Sequence, residues 1–380
     1  MSKAIGSAGQ APRRSGFGNA RPWVYTAAMP AVKAANPRTI FAPEDWAAIT
    51  HVSPWLGIWQ IVHAWLVVAF AAFGAAWAWE QSWLAGIVAT PIALALLGGR
   101  QLGLAILMHD GAHGLLHPNR QLNNWLGQWP SGAATGSDLH AYRAYHLTHH
   151  KFTQQPEDPD LSLSKPFPTS RASLWRKAVR DLTGQTFFKQ RSHQFAAALR
   201  GLQAMLRGEA GSAEDKRDTS AGRALNLQSR SGINAPVANV EGAKTTTRTV
   251  GRFLFVQAIL LTISLAFWGW LPFLLWLVAL ATTFQLFLRI RNIAEHACTT
   301  TGSEDPFSHA RTTYAGFIER ATVAPYWVNF HSEHHLFMGV PCYSLPRAHA
   351  LLGKGGYHAK MTIEPNYWSV LRRVTTSPAV

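Results

Sequence analysis

Histidine is the residue type with the most evident chemistry in this 380-residue chain, which carries seventeen of them. Three groups are clustered: His109-Asp-Gly-Ala-His113, His146-Leu-Thr-His149-His150 and His331-Ser-Glu-His334-His335. Positions i, i+3 and i+4 share one face of a helix, so each group is expected to aim its imidazoles at one point. At this histidine content an HxxxH arises by chance about once per chain, so the first group is weak alone. An HxxHH arises in only about 3% of such chains, and two together in fewer than about one in a thousand. A fourth segment, Arg291-Asn292-Ile-Ala-Glu295-His296, again sets two candidate ligands, Asn292 and His296, four residues apart. Neutral imidazole binds zinc, copper, iron or nickel. Nine histidines exceed the four ligands of a zinc site and suffice for two metals with open positions. Carboxylates that could orient the rings lie close by: Asp110 and Glu333 inside the clusters, then Glu295, Asp158 and Asp160. Glu157 reads equally well as a solvated loop charge. His63 and His117 fall outside the clusters and have ordinary structural explanations, whereas His140, six residues before His146, is a candidate supporting contact.

The elements that must hold these side chains are membrane helices. Charged residues are 14% of the chain, against about a quarter in soluble domains. Apolar runs at about residues 59–79, 83–108, 252–268 and 271–290 are long enough for a bilayer core of about 30 Å, and pair into two tight hairpins. Tryptophans at their ends suit an interfacial belt. The turns at Glu80 and Gly269 hold no Lys or Arg, whereas the segment between the hairpins is strongly basic. The positive-inside rule therefore places the clusters on the cytoplasmic face and explains most of the +15 net charge without nucleic acid. The expected fold is all-α and integral to the membrane, four transmembrane helices with a cytosolic helical cap around a His-rich dimetal site. Residues 1–50 read as a flexible basic tail, 51–370 as the membrane domain with a flexible insertion at about 208–247, and 371–380 as a C-terminal tail. Ser173–Leu206 has helical spacing with apolar and basic faces, suited to the membrane interface or to packing on the cap. Two cysteines make no disulfide framework, and no apolar signal-peptide core follows the early basic residues.

The motifs HDGAH, HLTHH followed by KFTQQPEDPD, RNIAEHA, and NFHSEHHLFMGVPCYSLPRAH resemble the histidine boxes of the integral-membrane fatty acid desaturase family. The resemblance covers roughly residues 54–352. It implies two non-haem iron ions, with O2 as co-substrate, removing hydrogens from an unactivated acyl chain. Carried over by position, it implies His109, His113, His146, His149, His150, His296, His331, His334 and His335 as ligands, with Asn292 acting through a water. No HPGG-like haem motif is present, since His117-Pro118-Asn119 lacks the glycines. Electrons would therefore come from a separate ferredoxin or cytochrome b5-like protein, for which the basic face suits docking. The expected setting is a bacterial inner membrane. A lipid or carotenoid hydroxylase or ketolase on the same scaffold is the nearest alternative, although QPEDPD and the third box look more like acyl-lipid desaturases. A membrane zinc hydrolase would leave ligands over. A metal transporter would need polar groups along the spans, where only His63 and Gln257 are found.

Overall fold

The computed structural model describes residues 31–211 and 239–376 and is helical almost throughout. In chain order the elements that build the site are α1 (Leu56–Gln81), α2 (Trp83–His113), α3 (Leu139–Phe152), α4 (Arg171–Leu182), α5 (Gln185–Leu206), α6 (Val240–Phe267), α7 (Leu271–Ala281), α8 (Thr283–His296), β1 (Arg311–Thr313), α9 (His331–Leu336), β2 (Thr362–Glu364) and α10 (Tyr367–Arg373). The two strands pair in parallel, with Arg311 opposite Thr362. Four stretches are long and apolar enough to cross a membrane: α1, α2, α6, and α7 with α8 taken together.

The first hairpin turns at Ser82, whose extended backbone ends α1 and whose hydroxyl accepts from the Ala85 N–H to open α2. Ala64, Val68, Ala71 and Ala75 recur at helical spacing and are buried, while Leu66, Phe70 and Trp77 face outward. Small residues on the inner face let α1 approach α2 closely, as membrane helices require when hydrophobic burial alone gives no preference for protein over lipid. The C-terminal half of α2, residues 97–112, is buried all round. Its polar members are satisfied by backbone: Arg100 donates to the Arg320 and Ala321 carbonyls, and Gln101 to that of Trp276. At Gly99 a side chain is sterically excluded, because a Cβ would lie 2.0 Å from the Ala321 oxygen.

Four sequence boundaries are corrected. First, α2 runs past the expected end at 108 through both His109 and His113, closing on Gly114 at φ 86°. Second, α6 begins at Val240, inside the expected insertion and twelve residues before the expected span at 252. Its first turns are polar because they pack on α5 rather than lipid: Thr247 donates to the Ala198 carbonyl, and Gly201 leaves space for the Ala243 backbone. At 28 residues, α6 measures about 42 Å at 1.5 Å per residue, more than a bilayer core needs. The remainder of the expected insertion, 212–238, lies outside the described residues. Third, residues 31–50, expected in the flexible tail, are ordered. Val32 N–H donates to the Lys151 carbonyl, the 43–50 helix buries Ile49, and Phe41 and Trp46 stack with each other and meet the Phe337 ring edge to face. Residues 1–30 lie outside the described set. Fourth, α10 extends to Arg373, three residues into the expected C-terminal tail, of which 377–380 are not described.

The expected helix at Ser173–Leu206 is two helices, α4 and α5, joined at Gly184 in the left-handed conformation. One face of α5 buries Ala197, Ala198, Gly201 and Ala204, while Leu199 and Leu206 on the other are exposed. The fourth span is interrupted at Thr282 (φ −122°, ψ −85°), which separates α7 from α8.

Candidate metal centre

Four helix segments converge to bring the histidines together. The buried end of α2 carries His109 and His113 one turn apart. Helix α3 carries the second cluster and starts at Asp138, whose Oδ1 accepts from the His140 and Ala141 N–H groups while Oδ2 pairs with Arg252 of α6 at 2.6 Å. This one carboxylate therefore fixes the start of the histidine helix and ties it to a membrane span. Helix α8 delivers His296 at its last turn, and the short α9 delivers the third cluster.

The nine histidines divide into two groups, and the division cuts through the sequence motifs. His109, His113, His146, His150 and His334 form one group; His149, His296, His331 and His335 form the other. Within each group the candidate ligand atoms all lie within 4.8 Å of one another. The expectation that each HxxHH aims at a single point is thus corrected. In the second box i and i+4 serve the first group and i+3 the second; in the third box the assignment is reversed. At 100° per residue, i and i+4 diverge by about 40° around the helix, but i+3 and i+4 by about 100°, enough to face two centres.

The nitrogen geometry is what a cation would satisfy and hydrogen bonds would not. His150 Nε2 lies 2.8 Å from His146 Nε2 and 3.0 Å from His334 Nε2. His331 Nε2 likewise lies 2.9 Å from His296 Nε2 and 3.1 Å from His335 Nε2. A neutral imidazole nitrogen is either one donor or one acceptor, so a central nitrogen with two nitrogen neighbours can satisfy only one of them by a hydrogen bond. Both ring nitrogens of His109 and Nε2 of His113 are buried with no hydrogen-bond partner among the described residues. Metal–imidazole bonds of about 2.1 Å fit two such convergent sets.

The opposite nitrogens are held by the surrounding protein. His149 Nδ1 lies 2.7 Å from Asp158 Oδ1, His331 Nδ1 lies 3.2 Å from Glu295 Oε1, and His109 Nδ1 lies 3.4 Å from Asp110 Oδ1. His296 Nδ1 meets the His309 carbonyl at 3.0 Å; His146 Nδ1 and His335 Nδ1 meet the Tyr142 and Thr153 hydroxyls, each at 3.3 Å. Apart from the His109–Asp110 approach, which is too long and misaligned to be a hydrogen bond, these contacts orient the rings, as outer partners of ligating histidines generally do. Burial, reinforced by neighbouring imidazoles, keeps His146, His150, His331, His334 and His335 well below the ordinary imidazole range, hence neutral and ready to ligate. Burial alone would lower His149 too, but the Asp158 carboxylate outweighs it and lifts the imidazole to about 9.

The remaining expected residues fall into place unevenly. Asn292 borders a cavity of about 20 Å³ together with His149, Glu295, His296 and His331, which is room for one water. Asp158 and Glu295 approach the rings of the candidate ligands His149 and His331. Asp110 sits at the longer distance given above, and its other oxygen accepts from the Cys342 N–H at 3.0 Å. Glu333 turns away from the cluster, accepting from Thr312 and lying 2.6 Å from His349 Nδ1. Asp160 accepts from the Tyr145 hydroxyl, and Glu157 is exposed. His140 is exposed beside Arg143, and His63 lies against Tyr326; neither reaches the cluster.

Sequence reasoning missed Tyr142, Thr153, the His309 carbonyl and Gln154. Tyr142 and Thr153 lie four residues from His146 and His149, so helical spacing could have found them; the carbonyl has no sequence signal. Gln154 is a buried tie between boxes: its side chain donates to the His296 carbonyl at 2.6 Å, and its N–H donates to Asp158 Oδ2 at 2.8 Å. It does so at φ 60°, an unfavourable backbone conformation for a side-chain-bearing residue that only strong surroundings maintain.

The fatty acid desaturase family profile matches residues 81–365. Among individual proteins, the dihydrorhizobitoxine desaturase of Bradyrhizobium elkanii is 26% identical over 273 residues, covering 71% of this chain and 70% of the relative.

Proposed function

Because this chain belongs to the fatty acid desaturase family, we propose that it is a membrane-bound, non-haem di-iron desaturase that introduces a C=C bond into an unactivated acyl chain of a lipid. The observation that carries the reading is the pair of convergent imidazole groups at the ends of α2 and α8. Two iron ions held there would activate O2 and so supply the oxidising power toward C–H bonds that no side chain possesses. The balanced reaction converts CH2–CH2, O2, two electrons and two protons into CH=CH and two waters.

The protein supplies position and electrostatics. His109, His113, His146, His150 and His334 would hold one ion, and His149, His296, His331 and His335 the other, with Asn292 completing the second set through a water in the small adjoining cavity. Asp158 and Glu295 keep His149 and His331 turned with Nε2 inward. Burial of the cluster limits water around it and favours a defined outcome over side reactions.

The positive-inside distribution supports a cytoplasmic location for the site. The bacterial relative supports an inner-membrane setting. A separate ferredoxin or cytochrome b5-like donor would approach the basic surface. The relative's name, dihydrorhizobitoxine desaturase, favours a second reading in which the same reaction acts on a substrate outside the fatty acids.

The test is expression in a host lacking the gene, followed by mass spectrometry of lipids and small polar metabolites. The proposal expects a lipid product lighter by two hydrogens, absent with His149→Ala or His334→Ala. A gain of one oxygen would instead identify a hydroxylase. A product confined to the polar fraction would select the second reading.

A further inference from the structure

Away from the histidines, α4, α8 and α10 enclose a groove of about 580 Å³, within the range of drug-sized ligand sites. Its walls are apolar: Trp175 from α4, Leu286 and Ile290 from α8, and Trp368 and Leu371 from α10. Both tryptophans are largely exposed, at 68% and 61%. Large apolar surface left open in this way marks an interaction site. Helix α8 is the terminal half of a membrane span, so the groove lies against the part of the chain that meets the bilayer.

Three arginines border the groove, and no acidic side chain lines it. Arg289 is already paired with Asp181. Arg171 and Arg372 are exposed and make no ion pair among the described residues; Arg372 lies over the Trp368 ring at 5.2 Å. An apolar trough with two uncompensated guanidinium groups is complementary to a molecule with hydrocarbon chains and a negatively charged head. The planar donor fork of arginine also matches a phosphate.

We propose that this groove binds an anionic glycerophospholipid, with acyl chains against Trp175, Leu286, Ile290 and Trp368 and the phosphate between Arg171 and Arg372. The proposal rests on the reading of α7 and α8 as a membrane span, but not on the reaction assigned to the metal centre. None of the groove residues is a candidate metal ligand, so lipid binding and catalysis can fail separately.

The full chain, purified in detergent, is titrated with phosphatidylglycerol and with phosphatidylcholine, and bound lipid is counted by native mass spectrometry. Juxtamembrane arginines typically contribute about five-fold each to binding of anionic lipid. The double variant Arg171→Gln/Arg372→Gln should therefore bind phosphatidylglycerol about thirty-fold more weakly, with phosphatidylcholine binding unchanged. Leu286→Trp, which fills the groove and leaves the rim charges in place, should also weaken phosphatidylglycerol binding. Arg176→Gln/Arg180→Gln, on the same helix but absent from the groove lining, should weaken binding clearly less than the rim variant does. Equal binding of both lipids by the wild-type chain, a phosphatidylglycerol affinity unmoved by the rim variant or by Leu286→Trp, or an equal loss in the Arg176/Arg180 control would overturn the assignment.

Discussion

Replacing Asp158 by Asn tests whether the two histidine groups are separately supported metal sites. Asp158 Oδ1 lies 2.7 Å from His149 Nδ1 and accepts from the Asp160 N–H at 2.8 Å; Oδ2 accepts from the Gln154 N–H at 2.8 Å. An asparagine has one acceptor oxygen where three donors need two. Either His149 then faces an NH2 group, or the buried Gln154 N–H is left without its acceptor. Loss of such an outer partner typically costs about 10–100-fold in metal affinity, or about 1.4–2.8 kcal/mol. The cost should fall on the His149 group, because Asp158 touches no member of the other. Chelator titration with metal counting should show one ion per chain leaving early and the second resisting as in the wild type. Glu157→Gln, one residue away and exposed, should behave as wild type. Two ions held by Asp158→Asn with unchanged chelator resistance would refute the argument.

Three further outcomes follow from the geometry. His149→Ala and His150→Ala alter adjacent residues but should deplete different ions, the first from the four-histidine group and the second from the five, and both should abolish product; depletion of the same ion in both, followed by spectroscopy of the retained site, would contradict the split. In the metal-free chain, burial lowers five histidines, which the unfolded chain protonates near pH 6.5, so stability should fall as pH drops below 6.5, by at most about 1.4 kcal/mol per histidine per pH unit. His149 is raised to about 9 and runs the other way, its contribution being complete below 6.5 and lost as pH rises through 9; melting temperatures that do not fall between pH 7 and 5.5 would count against the buried, neutral cluster. Gly99→Ala should destabilise by about 1–3 kcal/mol, since the new Cβ meets backbone at Ala321 and Thr322, whereas Gly74→Ala, with open space around it, should not lower the melting temperature.

Much of this architecture was legible because membrane spans and histidine ligands are extreme signals. Length and absence of charge identified the four candidate spans, and the paired HxxHH motifs picked out histidines that the fold brings together. The start of α6 was hidden because Lys244, Thr247 and Arg248 look unlike a span; those turns pack against α5 instead of lipid. The order of residues 31–50 was hidden because three scattered apolar side chains, Phe41, Trp46 and Ile49, carry no periodic pattern. The division of each box between two centres depends on the 100° separation of i+3 and i+4, and its direction depends on which helix lies opposite. Glu333 is the clearest lesson in that respect. Its place between His331 and His334 suggested a supporting carboxylate, but the short α9 turns it toward Thr312 and His349. Contacts such as the His309 carbonyl on His296 arise from tertiary approach and leave no trace in local sequence.

The most direct test of the central claim is the metal content of the purified chain, measured by elemental analysis together with protein quantification. The two-group centre predicts two iron ions per chain, with one lost on His149→Ala and the other on His150→Ala. One zinc per chain, or metal that washes off without selectivity between those variants, would contradict it.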